Sequence, residues 1–154
     1  MDYSPLKKLL LDGDPEFWAV LKRLTADAKD FEELFLLSSW RKKAHARKLT
    51  RPGVVQDAVR LAITGGYSLY PLHELIEHLC EVEGFPCETW LGAFDNYVSE
   101  ISEPDSELYA FKPQVVLVMP SEHRCAYTGK LTDARELQQQ EAHGVVDMLL
   151  KLAR

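Results

Sequence analysis

Arg60-Leu61-Ala62-Ile63-Thr64-Gly65-Gly66-Tyr67-Ser68-Leu69-Tyr70-Pro71-Leu72-His73 is the stretch that decides the fold. A short apolar run stops at paired glycines, and apolar residues then recur at helical spacing: Leu69, Leu72, Leu75, Ile76 and Leu79. That order predicts a buried strand over 59–64, a tight turn, and a helix over 69–83. Glycines at the turn permit positive φ and close approach of other backbone or of a ligand. Unpaired N–H groups at the start of the new helix would face the same space and favour an anion or oxyanion. The expected site is therefore this turn, with Gly65, Gly66, Tyr67 and Ser68 as binding residues.

Downstream, Gly84-Phe85-Pro86 reads as a turn and 87–91 as a second strand. Residues 96–101 look helical, and 106–111 add a further turn or short helix. Gln114-Val115-Val116-Leu117-Val118-Met119 is the least ambiguous strand, and its unbroken apolar run predicts burial on both faces, as in a parallel sheet. Thr132 or Asp133 is expected to cap a helix running to Leu152, with Leu137, Val145, Val146, Leu149 and Leu152 inward. This alternation predicts an α/β fold: a short parallel sheet in the order 2-1-3 with flanking helices, flavodoxin-like. In such sheets ligands bind beyond the carboxyl ends of the strands. Here that crevice lies between 65–68 and 120–124. Three strands are few for such a sheet. Its edge is expected to be covered by the N-terminal helices or another copy, unless the sequence is a piece of a longer one.

Upstream, Ser4 as N-cap and Pro5 at the first helical position start a helix over 4–11, and Asp12-Gly13-Asp14-Pro15 ends it and caps the next. Phe17, Val20, Leu21 and Leu24 form the stripe of a second helix. Asp30 precedes a third, with Phe31, Leu34, Phe35 and Trp40 expected inward, and Arg51-Pro52-Gly53 closes the helical part. The domain expectation is a helical segment over 1–52 and an α/β domain over 53–154.

The 154 residues are 46% apolar and 27% charged, an ordinary soluble composition with no apolar run near the ~20 residues of a membrane span. The first residues carry no basic-then-apolar signal pattern. Cys80, Cys87 and Cys125 are odd in number and lack metal spacing, so a reducing cytoplasm is the expected home. Net charge is −6, yet residues 1–56 hold 11 Lys/Arg against 8 Asp/Glu while 57–154 hold 7 against 16. Much of the positive charge sits between Arg41 and Arg51. It reads as a solvated helix end, its cations placed well for the C-terminal dipole. Nucleic acid is excluded as a partner by the overall acidity; an acidic carrier protein suits the patch better.

Ser68 follows the first strand, and Glu122 and His123 follow the third, which adds Glu122 to the expected binding residues. Serine attack on an acyl group needs a base and donors for the oxyanion. His123 could be the base, and N–H groups near Gly66–Ser68 the donors; the plainer account makes Ser68 a helix cap and His123 a polar loop residue. His73, Glu74, Glu77 and His78 fail as HExxH because the histidines are five apart, roughly 140° around a helix. Cys80 and Cys87 have no CxxC partner and read as small buried residues. Tyr67, Tyr70 and Trp90 could line a pocket; the plainer account of aromatics beside a sheet is core. There is no P-loop and no acidic metal triad, and Gly65-Gly66 is not GxGxxG; no metal or cofactor is expected.

Residues 95–117 carry a more specific signature, ending in Glu103-Pro104-Asp105-Ser106-Glu107-Leu108-Tyr109-Ala110-Phe111-Lys112-Pro113-Gln114-Val115-Val116-Leu117. This closely resembles the DPDSxLYAFKPDVV segment in the N-terminal region of FkbH-like proteins, and the resemblance extends over about residues 14–150. It implies an SGNH-hydrolase-like fold that, in that family, precedes a HAD-type phosphatase domain. The family loads a glyceryl unit from a phosphorylated glycerate onto an acyl carrier protein in polyketide pathways. The HAD nucleophile motif DxDxT does not occur in these 154 residues. Gly66-Tyr67-Ser68-Leu69 resembles the GDSL block with Tyr for Asp. Pro120-Ser121-Glu122-His123 stands at the GxND block without its Gly and Asn, and the terminal DxxH is missing. Only Ser68 carries over as a nucleophile. The resemblance implies a helper module whose partners are an acyl carrier protein and a HAD-type protein. The rival expectations are an esterase or acyltransferase using Ser68 and His123, and a homo-oligomeric interaction module.

Overall fold

The computed structural model describes residues 2–53, 57–122 and 126–152. Three helices come first: α1 (Ser4–Asp12), α2 (Glu16–Ala26) and α3 (Phe31–Ala46). Then follow β1 (Val59–Gly65), α4 (Leu72–Glu83), β2 (Cys87–Leu91), α5 (Tyr97–Ser102), α6 (Glu107–Phe111), β3 (Val115–Met119) and α7 (Arg135–Leu152). The sheet is all-parallel with order β2-β1-β3, and β1 runs beside β3 from Leu61 opposite Val115 to Gly65 opposite Met119. The expected α/β architecture with three parallel strands in the order 2-1-3 is the one found.

Two compact units divide the chain, one of Met1–Val59 with Tyr70–Thr89, the other of Arg60–Leu69 with Trp90–Arg154. In the first unit α1, α2, α3 and α4 bury Leu6, Leu10, Phe17, Trp18, Val20, Leu21, Leu37, Ala44 and Val82. Each large side chain so buried contributes roughly 1.5–3 kcal/mol. Phe17 meets the Trp18 ring edge-on at 5.4 Å, a geometry the aromatic quadrupole favours. Asp30 caps α3, its carboxylate accepting from the Glu33 N–H at 2.9 Å.

Helix α2 buries its expected stripe at Phe17, Val20 and Leu21, whereas the inward faces of α3 and α4 differ from the expectation. In α3 the buried residues are Leu37, Ser38, Arg41 and Ala44, while Phe31 is exposed and stacks on Phe35 at 6.0 Å. In α4 they are His78, Glu81 and Val82, and Leu79 is exposed. The physical reason is that α3 and α4 meet through paired charges. Buried Arg41 donates to Glu77 at 2.9 Å and to Glu81 at 3.4 Å, and His45 reaches Glu81 at 2.7 Å. Helix α4 also starts later than expected, at Leu72, because Pro71 disfavours helical geometry at Tyr70.

In the second unit β3 overturns the expectation of burial on both faces: Val115, Val116 and Leu117 are 50%, 42% and 38% exposed. It is an edge strand, and no strand pairs with its outer side among the described residues. Helix α7 has the expected apolar spacing and yet no buried residue; Leu137, Val146 and Leu150 are all exposed. Asp133 does not cap it. Its carboxylate accepts instead from Tyr127 Oη and the Lys130 N–H, both at 2.7 Å, and closes the turn before the helix.

Candidate functional site

The strand ends are drawn together by backbone contact at the two glycines. The Gly66 N–H donates to the Met119 carbonyl at 2.9 Å. A Cβ on Gly65 would stand 2.1 Å from that same oxygen, and one on Gly66 would stand 2.2 Å from Ser121 Cβ. Neither glycine has positive φ. Close approach, the second of the two uses expected of them, is what requires them.

The segment after β2 is laid against β1 in the same way. Gly92 N–H donates to Ile63 O and Asp95 N–H to Gly65 O, both at 2.8 Å. Buried Glu100 ties that segment down with both carboxylate oxygens. One accepts from Thr64 Oγ1 at 2.5 Å, the other from the Ala93 N–H at 2.7 Å. Gly92 leaves room for this pair, since a Cβ there would lie 2.3 Å from Thr64 Oγ1. Asp95, held at φ 55°, then accepts from Ser121 Oγ at 3.1 Å, and Ser121 is only 2% exposed. Gly66, Asp95 and Ser121 thus converge beyond the carboxyl ends of β1, β2 and β3, where a parallel sheet places ligands.

Of the residues expected here, Gly65 and Gly66 are buried, and Tyr67 and Ser68 are exposed. Tyr67 Oη accepts from the Glu122 N–H at 3.2 Å, which brings Tyr67 and Glu122 together. His123 lies outside the described residues, so its pairing with Ser68 is not described. Ser68 stands four positions before the first residue of α4 and does not cap it; the residue at the cap is Pro71. Among the oxyanion donors expected at Gly66–Ser68, the Gly66 N–H is committed to Met119. The groups that do meet are hydroxyls and carboxylates, a set suited to a hydroxyl-bearing ligand more than to a phosphate. Asp95, Ser121, Thr64 and Glu100 were not singled out as site residues. Their signal is weak because the four come from separate loops and elements; only the glycines at 65 and 66 hinted at close approach.

No family model matches the chain, and no curated protein matches it. Among solved structures it is similar to the N-terminal part of the protein BF1531 from Bacteroides fragilis, a crystal structure containing a phosphatase domain complexed with Mg. The TM-score is 0.54 at 18% identity, over 88% of this chain and 29% of that one. The likeness is one of fold, and the chain spans less than a third of that neighbour.

A second concavity of the same unit, about 570 Å³, runs along β3. It is lined by Val116 and Val118 of the strand, Leu108 and Tyr109 of α6, and Leu149 and Leu152 of α7. Its wall is apolar, and the gap is many times the volume of a water molecule. This explains how α7 lies beside β3 while burying no side chain.

The residues weighed as metal ligands have other partners. Glu74 pairs with Lys42; Glu77 accepts from Arg41 and from Thr89 Oγ1. His78 is fully buried, with Nε2 2.9 Å from Thr25 Oγ1. Because that hydroxyl donates to Leu21 O, His78 must be the donor, a neutral ring with its proton on Nε2. Burial, with the nearby Arg41 charge second, lowers its pKa to about 4. Cys87 is pushed up to about 11, chiefly by burial and then by Cys80 and Glu77, so it is an unreactive thiol. The basic segment is not simply a solvated helix end, since Arg41, Lys42 and His45 are spent on α4. No helix among the described residues is long and apolar enough to cross a membrane.

Proposed function

We propose that this chain is an accessory module of the kind found in the N-terminal part of FkbH-like proteins. It assists a HAD-type phosphatase or transferase in passing a glyceryl or other acyl unit to an acyl carrier protein in the cytoplasm. The observation that carries this reading is the likeness, over 88% of the chain, to the N-terminal part of a phosphatase-domain protein. The signature over 103–117 adds support, because it builds α6 and leads into β3. The crevice in this reading positions the hydroxyls of a glyceryl group against Asp95 and Ser121. Pull-down with a cognate HAD-type protein and carrier protein is expected to show micromolar association. No association at that concentration would overturn the reading.

The exposure of Ser68, two residues beyond the buried Gly66, favours a second reading as an esterase or acyltransferase with His123 as base. Turnover of short acyl esters, abolished in both Ser68→Ala and His123→Ala, would establish it over the first.

A further inference from the structure

We propose that the trough between α1 and α3 docks an acidic amphipathic helix of a partner protein. Two depressions of about 250 and 440 Å³ share Leu10, Leu11 and Arg47, and so form one continuous trough. The smaller depression has an apolar wall, with Leu11 58% exposed at the surface of α1 and Trp40 contributed by α3. The rim of the trough is cationic, formed by Lys7 on one side and Lys43, Arg47 and Lys48 on the other.

The rim cations differ from the basic residues that α3 spends on α4. Lys22, Arg41, Lys42 and His45 each have a carboxylate within 4.0 Å, whereas none of the four rim residues is in an ion pair among the described residues. Lys43 lies over the Trp40 ring at 4.4 Å, and Arg47 uses one nitrogen on Leu10 O at 3.4 Å. In a chain of net charge −6, four cations outside any ion pair among the described residues, set around Leu11 and Trp40, complement an acidic partner. The groove between two helices suits a third, with apolar anchors at i, i+3 or i+4 and i+7 on the floor and its flanking carboxylates on the rim. A nucleic acid would use the rim and leave Leu11 and Trp40 in water. The proposal goes beyond the accessory role, since it does not depend on which protein supplies the helix.

The test is fluorescence anisotropy on the full chain with a labelled, helical peptide of about 15 residues, leucines on one face and glutamates elsewhere. Saturable binding is expected at tens of micromolar in low salt, weakening as salt is raised. A scrambled peptide of equal composition should bind at least about tenfold more weakly, as should the Lys7→Glu/Lys43→Glu variant with the native peptide. Leu11→Ser changes an exposed side chain and should lose about threefold while circular dichroism is unchanged. Three results would overturn the proposal: no saturation by about 1 mM, equal binding of the scrambled peptide or a single-stranded oligonucleotide, or no loss in Leu11→Ser.

Discussion

The helical unit and the strand-end unit solve the burial problem differently. In the first, four helices enclose Leu6, Phe17, Leu21 and Leu37 completely and seal α3 to α4 with a buried arginine between two glutamates. In the second, order is concentrated at one end of the sheet. Gly65, Gly66 and Gly92 let backbones and the Thr64–Glu100 pair pack without space to spare, while β3 and α7 leave their apolar side chains half-buried or exposed. Rigidity in this protein follows contact with a neighbouring element, and apolar content alone does not supply it.

Mutations can break that contrast, beginning with its strongest point. Phe17→Ala leaves a cavity inside the helical core and should cost about 4 kcal/mol in urea unfolding. A cost below about 1 kcal/mol would mean that the core is no tighter than the β3 side. Next in size is pH. His78 is neutral when folded with a pKa of about 4, against 6.5 as its ordinary value. Between those values the unfolded chain binds more protons, so stability is full above about pH 6.5 and falls as pH drops toward 4, by about 3 kcal/mol in all. His78→Gln, which retains a donor toward Thr25, should flatten that slope; an unchanged slope would place the titration elsewhere.

Gly66→Ala comes third. The added methyl must push Ser121 and Asp95 aside, at a cost of about 2 kcal/mol. Hydrogen exchange should quicken at Gly66 and Asp95, and an unperturbed pattern would show the crevice to be loose. The smallest effect is expected for Leu150→Ala on α7, where 53% of the side chain is already in water. It should shift stability by less than about 0.5 kcal/mol. A loss of 2 kcal/mol or more would mean that the helix face is covered in solution.

The sequence was legible wherever a local rule sufficed. The strand, double glycine and helix around Gly65, the Asp30 cap and the strand order 2-1-3 all follow from spacing and turn chemistry. The inner face of α3 was not legible, because Leu37 shares it with Ser38, Arg41 and Ala44, and the carboxylates on α4 are what let Arg41 be buried there. The amphipathic pattern of α7 misled in the opposite sense: periodicity marks which residues could be covered, yet Leu137 and Val146 are 51% exposed and Val145, Leu149 and Leu152 only half-buried. At the crevice the glycines pointed to the place. They did not reveal that Asp95, from the loop after β2, and Ser121, from the loop after β3, would be the groups pressed against them.

Strand β3 carries Val115 to Met119 without a lysine, proline or bulge to deter pairing along its outer side. A concentrated preparation should therefore deteriorate by an encounter-limited route, with losses rising faster than linearly as the sample is concentrated. One charge placed mid-strand, as in Leu117→Lys, is the inexpensive way to slow that decay while leaving the crevice alone.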